Sequence, residues 1–257
     1  MNQPPHKTVG TGTTTAHLWL ERVVVDPAVR ALRPDYTAAL VVAEGLKPGP
    51  SDQASDVILT EAEATARRRL AGRAPHEVRH VAEWRDAYRA FGAKPQRTRP
   101  SVEALLRRVE SGLPRIDRLT DIYNAVSIAH LMPVGGEDLD AYRGAARLVR
   151  AGGSETFDTT SDGAAALEHP EAGEVVWADD EGVTCRRWNW RQCSRTRITD
   201  ETTRAVFILD ALSAAGPAGG QLAADDLVAQ LSRLNPGAQF ARKLFGHLPA
   251  PQPGGSP

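Results

Sequence analysis

The sequence predicts a single α+β domain, with helices in the first half and mainly antiparallel or mixed sheet, flanked by helices, in the second. A chain of 257 residues with 41% hydrophobic content can bury one sizeable core. Runs of β-branched residues indicate strands, and apolar residues at three- and four-residue spacing indicate helices. We expect flexible polar tails over residues 1–16 and 247–257, with the folded domain over residues 17–246.

The first half is expected to contain two strands followed by three helices. The strands are expected at residues 18–25 and 37–44, before a loop rich in Pro, Gly and Ser. Thr60 and Glu63 form a capping-box pattern for a helix through about residue 71. Pro75 suits the first turn of the next helix, which ends near Phe91 and Gly92, and Ser101 suits the cap of a third helix, through residue 110.

The second half begins with a helix over residues 119–131, whose apolar face has Asn124 beside it. Turn residues between β-rich runs predict two hairpins, one joining residues 146–151 to 154–158 and one joining 174–178 to 183–190. A strand over 203–209 and an amphipathic helix over 225–234 complete the expected elements.

Composition restricts the function classes. The formal charge of -1, from 31 basic and 32 acidic side chains, argues against coating nucleic acid through overall charge, so any RNA contact is expected to be regional. Cys185 and Cys193 cannot build a disulfide framework and suit small core positions. The apolar stretches are too short to span a bilayer, and the start lacks an apolar leader region, so we expect a cytoplasmic protein without a membrane partner.

The segment 186–197, RRWNWRQCSRTR, combines five arginines with two tryptophans and contains no acid. Alternation along a strand would place Arg187, Asn189 and Arg191 on one face and Trp188 and Trp190 on the other, toward the core. Two interpretations stay open: a solvated basic face, or a site where Arg and Asn meet phosphate, ribose or a carbonyl and tryptophan stacks on a base. The other basic residues of this segment are Arg186, Arg195 and Arg197.

A second basic group, Lys94, Arg97 and Arg99, lies in a loop bounded by prolines. Such side chains can reach a phosphate backbone, or they can simply be solvated.

His76 and His80 match the spacing of two zinc-binding histidines one helical turn apart, with Glu77 in the position of a general base. Arg79 and Pro75 instead suggest an exposed helix start with ordinary surface histidines, and no third ligand follows. The Walker loop, the dinucleotide fingerprint and the nucleophile elbow are all missing from the sequence. We expect neither a metal nor a cofactor.

A family resemblance is carried by two stretches, residues 90–140, AFGAKPQRTRPSVEALLRRVESGLPRIDRLTDIYNAVSIAHLMPVGGEDLD, and residues 173–192, GEVVWADDEGVTCRRWNWRQ. They resemble the B3/B4 domain of the bacterial phenylalanyl-tRNA synthetase beta subunit, and more closely its free-standing relatives. The synthetase domain hydrolyses the ester of tRNA charged with the wrong amino acid. The resemblance therefore implies an α+β editing fold, with aminoacylated tRNA as partner and no synthetase subunit required.

The same resemblance implies a rebuilt pocket. Asn124, Pro133 and Asp138 correspond to the synthetase pattern, but its histidine falls at Gly135 and the glutamate of its Gly-Gly-Glu signature falls near Gln192. Rejection of tyrosine, as in the synthetase, is therefore not expected here. The pocket is expected between the Asn124 helix and the segment 186–192.

From this resemblance and the residues themselves we assign candidate roles. Asn124 and Asn189 would orient the carbonyl or the attacking water. The candidates for substrate binding are Gly135, Gly136, Glu137, Asp138, Asp140, Arg187, Trp188, Trp190 and Gln192. The candidates for tRNA binding are Lys94, Arg97, Arg99, Arg191, Arg195 and Arg197. If Glu137, Asp138 and Asp140 face the pocket, a basic, arginine-like amino acid is the expected substrate. If these acids cap a helix or face solvent, they indicate nothing about the substrate.

The expected function is trans-editing hydrolysis of mischarged tRNA. The alternatives are a module that binds tRNA or an amino acid without catalysis, and a zinc hydrolase through His76 and His80. The chain is too short to add an adenylate-forming domain to the B3/B4 region, so a synthetase is not expected.

Overall fold

The computed structural model describes residues 15–161 and 163–246. The helices are α1 (Thr15–Arg22), α2 (Pro27–Leu32), α3 (Gln53–Leu70), α4 (Arg79–Ala90), α5 (Ser101–Leu106), α6 (Arg118–His130) and α7 (Gly216–Leu234). The strands are β1 (Val24–Val25), β2 (Thr37–Glu44), β3 (Val134–Asp138), β4 (Arg147–Arg150), β5 (Phe157–Ser161), β6 (Ala164–Glu168), β7 (Val175–Ala178), β8 (Val183–Arg186), β9 (Arg191–Gln192), β10 (Arg204–Ala211) and β11 (Gln239–Phe245). This arrangement confirms the α+β class.

A four-stranded antiparallel sheet, in the order β11-β2-β10-β3, lies at the centre and is covered on both faces. Strand β2 of this sheet has seven of its eight residues buried, as expected for a strand with both faces covered. Alternate side chains of a strand point to opposite faces. Val41 therefore joins a core formed with α3, α6 and α7, whereas Leu40 joins a second core that contains Trp84, Trp177 and Trp188.

The second core separates this sheet from a five-stranded sheet in the order β1-β4-β7-β8-β9, in which only the β1–β4 pair is parallel. The two sheets approach each other at β3. Glu137 of β3 forms an isolated antiparallel bridge with Arg197, and Gln192 of β9 donates from Nε2 to the carbonyl of Gly136 at 2.8 Å. This seam between the sheets holds the candidate site.

The expected strand over residues 18–25 is wrong. Residues 15–22 form α1, and only Val24 and Val25 are extended. The helix buries Ala16 and Leu20, four residues apart, so packing of one helical face outweighs the local preference for a strand. The helix also includes Thr15 and Ala16, which were assigned to the N-terminal tail. The remaining residues of the two expected tails, 1–14 and 247–257, lie outside the described residues.

Other boundaries also differ. Helix α3 starts seven residues before Thr60, because Asp52 and Ser55 form the capping box. Pro75 begins a short 3-10 turn, Pro75–Glu77, ahead of α4, whose end near Phe91 and Gly92 is confirmed. Ser101 is the first residue of α5 and makes no capping hydrogen bond, and α5 ends at Leu106 instead of near residue 110.

Of the two expected hairpins, the second is confirmed and the first is wrong. Strands β7 and β8 pair with each other, but β4 pairs with β1 and β7, while β5 pairs with β6. The helices near 119–131 and 225–234 and the strand near 203–209 are confirmed as α6, α7 and β10. Strands β3 and β11 were not predicted. Within the described part of the chain, no helix has the length and apolar character that crossing a membrane requires.

Candidate functional site

A cavity of about 220 Å³ lies at the seam, between α6, β3, β10 and the turn that joins β8 to β9. Its lining comprises Ser101, Ala104, Leu105, Tyr123, Asn124, Val134, Gly135, Glu137, Trp177, Cys185, Trp188, Asn189, Trp190, Arg191, Gln192, Ile208 and Asp210. The structure thus brings together Asn124 and the residues around Gln192, in the region where the sequence places the pocket.

One side of the cavity is a row of residues on the paired strands β3 and β10. Ile208 lies opposite Gly135, and Val206 lies opposite Glu137. Asp210 is two residues beyond Ile208, so it shares the face of Gly135 and Glu137. At about 3.4 Å per residue, the backbones of Asp210 and Glu137 are roughly 14 Å apart along the strands, at opposite ends of the row.

Asp210 is a buried carboxylate, with 2% of its surface exposed. The hydroxyl of Tyr36 donates to Oδ1 at 2.7 Å, and Nδ2 of Asn189 donates to Oδ2 at 3.2 Å. Burial raises the pKa of Asp210 to about 7, against the lowering effect of these two hydrogen bonds. A carboxylate accepts about four hydrogen bonds, so Asp210 retains acceptor capacity for a ligand.

Glu137 is equally buried, at 2% exposure. Its Oε2 accepts from the hydroxyl of Tyr142 at 2.7 Å and from Oγ1 of Thr196 at 2.9 Å. Burial raises the pKa of this carboxyl above its ordinary value. Ion pairs join many acids and bases of the described residues, but neither Glu137 nor Asp210 is in any of them.

The turn after β8 shapes the wall opposite α6. Arg187 and Trp188 both adopt positive φ, at 48° and 69°, in the left-handed region that non-glycine residues rarely occupy. The amide of Trp188 donates to the carbonyl of Val175 at 2.7 Å, and the amide of Arg187 donates to Oε1 of Glu174 at 3.1 Å. The expected alternation of faces through residue 191 is therefore wrong, since the strand ends at Arg186.

Asn189 and Asn124 differ in how they are held. Asn189 accepts from the hydroxyl of Tyr88 at 2.9 Å through Oδ1 and donates to Asp210 through Nδ2, so both of its amide atoms have internal partners. Asn124 is 7% exposed, and its side chain makes no hydrogen bond with any described residue. The amide of Asn124 is therefore the freer of the two to bind a ligand.

Trp190 lies at the mouth of the cavity between two guanidinium groups. The Cζ atoms of Arg187 and Arg191 are 4.5 and 4.8 Å from its ring centroid. Arg191 also donates to Glu168 at 2.8 Å. Trp190 and Arg191 are half-buried, whereas Trp188 is fully buried beneath them.

Two glycines let other groups occupy the space above β3. A Cβ on Gly135 would lie 3.2 Å from Nε2 of Gln192, so the Gln192 amide takes the place of a side chain at position 135. A Cβ on Gly136 would lie 2.8 Å from Cδ1 of Ile198 and 2.9 Å from Cδ1 of Tyr123. Gly136 therefore faces away from the cavity and permits close packing of Tyr123.

Asp138 and Asp140 do not line the cavity. Asp138 accepts from Oγ1 of Thr202 at 2.7 Å, and Asp140 is exposed and paired with Arg204. Of the three acids singled out in this segment, Glu137 alone lies along the cavity wall.

The basic candidates are dispersed. Lys94, Arg97 and Arg187 line a separate recess of about 520 Å³, together with Glu171 and Glu174. Arg99 lies 3.8 Å from the buried Glu103, and Arg197 is exposed. Arg195 is bound to Asp179 by two contacts of 2.9 Å, so its side chain holds a loop together.

His80 is not a surface residue, contrary to expectation. It is 6% exposed, and its Nε2 accepts from the backbone amide of Leu212 and from the indole of Trp84, both at 3.1 Å. His76 lies outside α4 on the 3-10 turn and is exposed. Across residues 15–161 and 163–246, no group of three or more His, Cys, Asp or Glu side chains could hold a metal ion.

Sequence reasoning missed Asp210. The signal was present, because Asp210 is the single charged residue inside the apolar run of residues 205–211, AVFILDA. An acid in such a run is seldom fully buried without a role in structure or binding.

The cavity and its surroundings define an α+β domain with a cavity at a seam between two sheets. A family model described as the B3/4 domain matches residues 83–216, about half of the chain, and the chain belongs to this family. A solved structure that resembles the chain is an N-terminal fragment of the phenylalanyl-tRNA synthetase beta-subunit from Pyrococcus horikoshii. The sequence identity is 14% and the TM-score is 0.44, and the match covers 85% of this chain and 49% of that fragment. No curated protein matches the sequence.

Proposed function

We propose that this chain is a trans-editing aminoacyl-tRNA deacylase, which hydrolyses the ester bond of a tRNA that carries the wrong amino acid. One observation carries the proposal: every residue that lines the cavity falls within residues 83–216, the part matched by the B3/4 model. The B3/B4 resemblance implies this class of hydrolysis, and the cavity offers groups that can receive an aminoacyl end.

The reaction needs little chemical machinery because an aminoacyl ester is already labile. A water molecule attacks the carbonyl carbon, the bond from that carbon to the ribose oxygen breaks, and the ribose oxygen takes up a proton. Asn124 is suited to donate a hydrogen bond to the carbonyl oxygen, since its side chain is buried and makes no hydrogen bond to a described residue. Asn189, fixed by Tyr88 and Asp210, would act by positioning.

A cysteine nucleophile is disfavoured. Cys185 lines the cavity, but burial raises the pKa of its thiol well above the ordinary value. Burial also raises the pKa of Cys193 to about 11. Because the thiolate is the nucleophilic form, both thiols are inert near neutral pH. Water is therefore the attacking group in the proposed reaction.

The walls of the cavity favour a basic amino acid. Glu137 and Asp210 contribute two buried carboxyl groups, and the volume of about 220 Å³ suits a ligand of amino-acid size. Buried charge discriminates between ligands far more strongly than a single methylene does. An arginine-like or other basic residue on the tRNA is the substrate class that this lining supports best.

Contacts to the tRNA would come from outside the cavity. Trp190 at the mouth offers an indole for stacking on the terminal base, and the recess beside it holds Lys94, Arg97 and Arg187, which suit phosphate groups. Arg195 is excluded from this set by its pairing with Asp179.

A panel of tRNAs charged with non-cognate amino acids, basic analogues among them, tests the proposal. We expect the protein to accelerate ester loss from at least one basic aminoacyl-tRNA and the Asn124→Ala variant to do so far more slowly. If a high concentration of the protein accelerated ester loss from none of these tRNAs, the deacylase proposal would be refuted. In that case, retained binding of tRNA or of an amino acid would identify a binding module.

A further inference from the structure

The charges inside the cavity are not balanced. Asp210 and Glu137 are each 2% exposed, and hydroxyl and amide groups satisfy one or both of their oxygens. Neither acid pairs with a described base. A buried carboxylate without a counter-charge is costly, and proteins normally pair such a group or use it for binding.

The remaining walls offer no cation in compensation. Arg191 is the basic residue of the lining, and it is engaged by Glu168 at 2.8 Å while its guanidinium lies over the Trp190 ring. Trp177, Trp188 and Trp190 supply aromatic surface instead. Aromatic faces beside carboxylates favour ammonium and guanidinium groups.

The lining also contains polar groups without a partner. The buried side-chain atoms that have no hydrogen-bond partner among the described residues include Nε1 of Trp177 and Oγ of Ser101, and both residues line the cavity. The side chain of Asn124, which is 7% exposed, also makes no hydrogen bond to a described residue. Buried donors of this kind are rarely left unsatisfied, so the cavity is suited to a ligand that also carries an acceptor, such as a carbonyl oxygen.

The two acids occupy opposite ends of one face. Asp210 and Glu137 are separated along the strands by Ile208 and Gly135, and the amide of Gln192 lies over Gly135 in the middle of the row. A ligand lying along the row would meet one carboxylate at each end and the donors of Asn124 and Trp177 between the sheets.

We propose that Asp210 and Glu137 form a two-point site for a ligand with two cationic groups, the α-ammonium of an amino acid at one carboxylate and its basic side chain at the other. This inference rests on the proposed function, because it takes the ligand to be an aminoacyl group whose own carboxyl is esterified. It assigns Asp210 a role in specificity.

Binding of amino-acid amides to the full chain, measured by calorimetry, tests this site apart from hydrolysis. Argininamide carries both cations, norleucinamide carries only the α-ammonium, and N-acetylargininamide carries only the guanidinium. We expect argininamide to bind at least 10-fold more tightly than either of the others, since each carboxylate contributes only when its cation is present. Equal affinity for the three amides would overturn the proposal, and so would the absence of binding.

Variants then assign the two ends. Asp210→Asn and Glu137→Gln keep the shape of each side chain, and each should reduce argininamide affinity about 10-fold while leaving affinity unchanged for the amide that lacks the corresponding cation. Asp86→Asn, on the exposed face of α4, is the matched control. Losses that are equal for all three amides would count against two-point recognition.

The outcomes separate this inference from the proposed function. Tight argininamide binding with a flat hydrolysis panel would retain the site and reject the deacylase. Hydrolysis of tRNA esters without any preference for the dicationic amide would retain the deacylase and reject the two-point site.

Discussion

Asn189 donates a hydrogen bond to Asp210, with 3.2 Å between Nδ2 and Oδ2. This contact joins the strained turn after β8 to strand β10, so it fixes two walls of the cavity relative to each other. Tyr88 and Tyr36 extend the chain of contacts in both directions, at 2.9 and 2.7 Å. The cavity is therefore held in shape by a buried polar network whose only acid is Asp210.

Replacing Asp210 should change how stability depends on pH. The pKa of this carboxyl is raised by burial to about 7 from an ordinary value of 3.8. The folded protein therefore keeps the proton while the unfolded chain releases it, so the stability contributed by Asp210 declines as pH rises from about 4 to about 7.

Urea unfolding of wild type and Asp210→Asn between pH 4 and 8 measures this effect. The neighbours Tyr36, Tyr88 and Cys185 stay neutral over this range, because burial raises the pKa of each well above its ordinary value. We expect the free energy of unfolding of wild type to fall by on the order of a few kcal/mol relative to that of the variant as pH rises across this range. If the free energies of unfolding of the two proteins depended on pH in the same way, the pKa of Asp210 would not be raised by folding.

Asn124→Ala should impair hydrolysis without impairing folding. Loss of one donor to a developing oxyanion typically costs about 100-fold or more in rate. Because the Asn124 side chain has no hydrogen bond to a described residue, the free energy of unfolding should fall by less than about 1 kcal/mol. Single-turnover deacylation and urea unfolding check the two halves. An unchanged rate would remove Asn124 from the reaction.

Arg195 and Arg197 form a matched pair that separates structural from surface arginines. Arg195 contacts Asp179, whose side chain is fully buried, so Arg195→Ala should destabilise the fold by about 3 kcal/mol. Arg197 is exposed, and Arg197→Ala should change stability by less than about 0.5 kcal/mol. Thermal and urea unfolding of both variants test this. Equal stability of the two variants would contradict the account of the Arg195 loop.

Removing Lys94 and Arg97 together should weaken tRNA binding through charge. Each lost contact to a single-stranded phosphate lowers the slope of log affinity against log salt by about 0.7, so we expect the slope to fall by roughly 1.4. Binding titrations over a range of salt concentrations measure it. Argininamide affinity is the control and should not change, because neither residue lines the cavity. An unchanged slope would place the phosphates elsewhere.

The sequence identifies those parts of the fold where local pattern and tertiary packing agree. The helix around Asn124 and the strand around Val206 are such cases, because the regularly spaced apolar residues of the helix pack into the core and the continuous apolar run of the strand is buried. Residues 18–25 show the opposite. There the β-branched residues indicate a strand, but burial of Leu20 against the second core gives a helix.

The sequence predicts a pocket between the Asn124 helix and residues 186–192, but the chemistry of the cavity there depends on contacts between distant residues. Arg195 and Arg191 looked alike in sequence, yet one binds Asp179 inside a loop and the other lies at the cavity mouth. Asp210 gained its position from pairing with β3, a strand that the sequence did not reveal. Long-range pairing of this kind leaves little trace in local composition.

The most direct test of the account is the first-order rate of ester loss from tRNA charged with an arginine-like amino acid, compared with the same tRNA charged with a neutral amino acid of similar length. We expect the protein to accelerate loss of the basic ester at least 10-fold more than loss of the neutral ester, and we expect Asn124→Ala to abolish most of the acceleration. Equal rates with and without protein for both esters would contradict it.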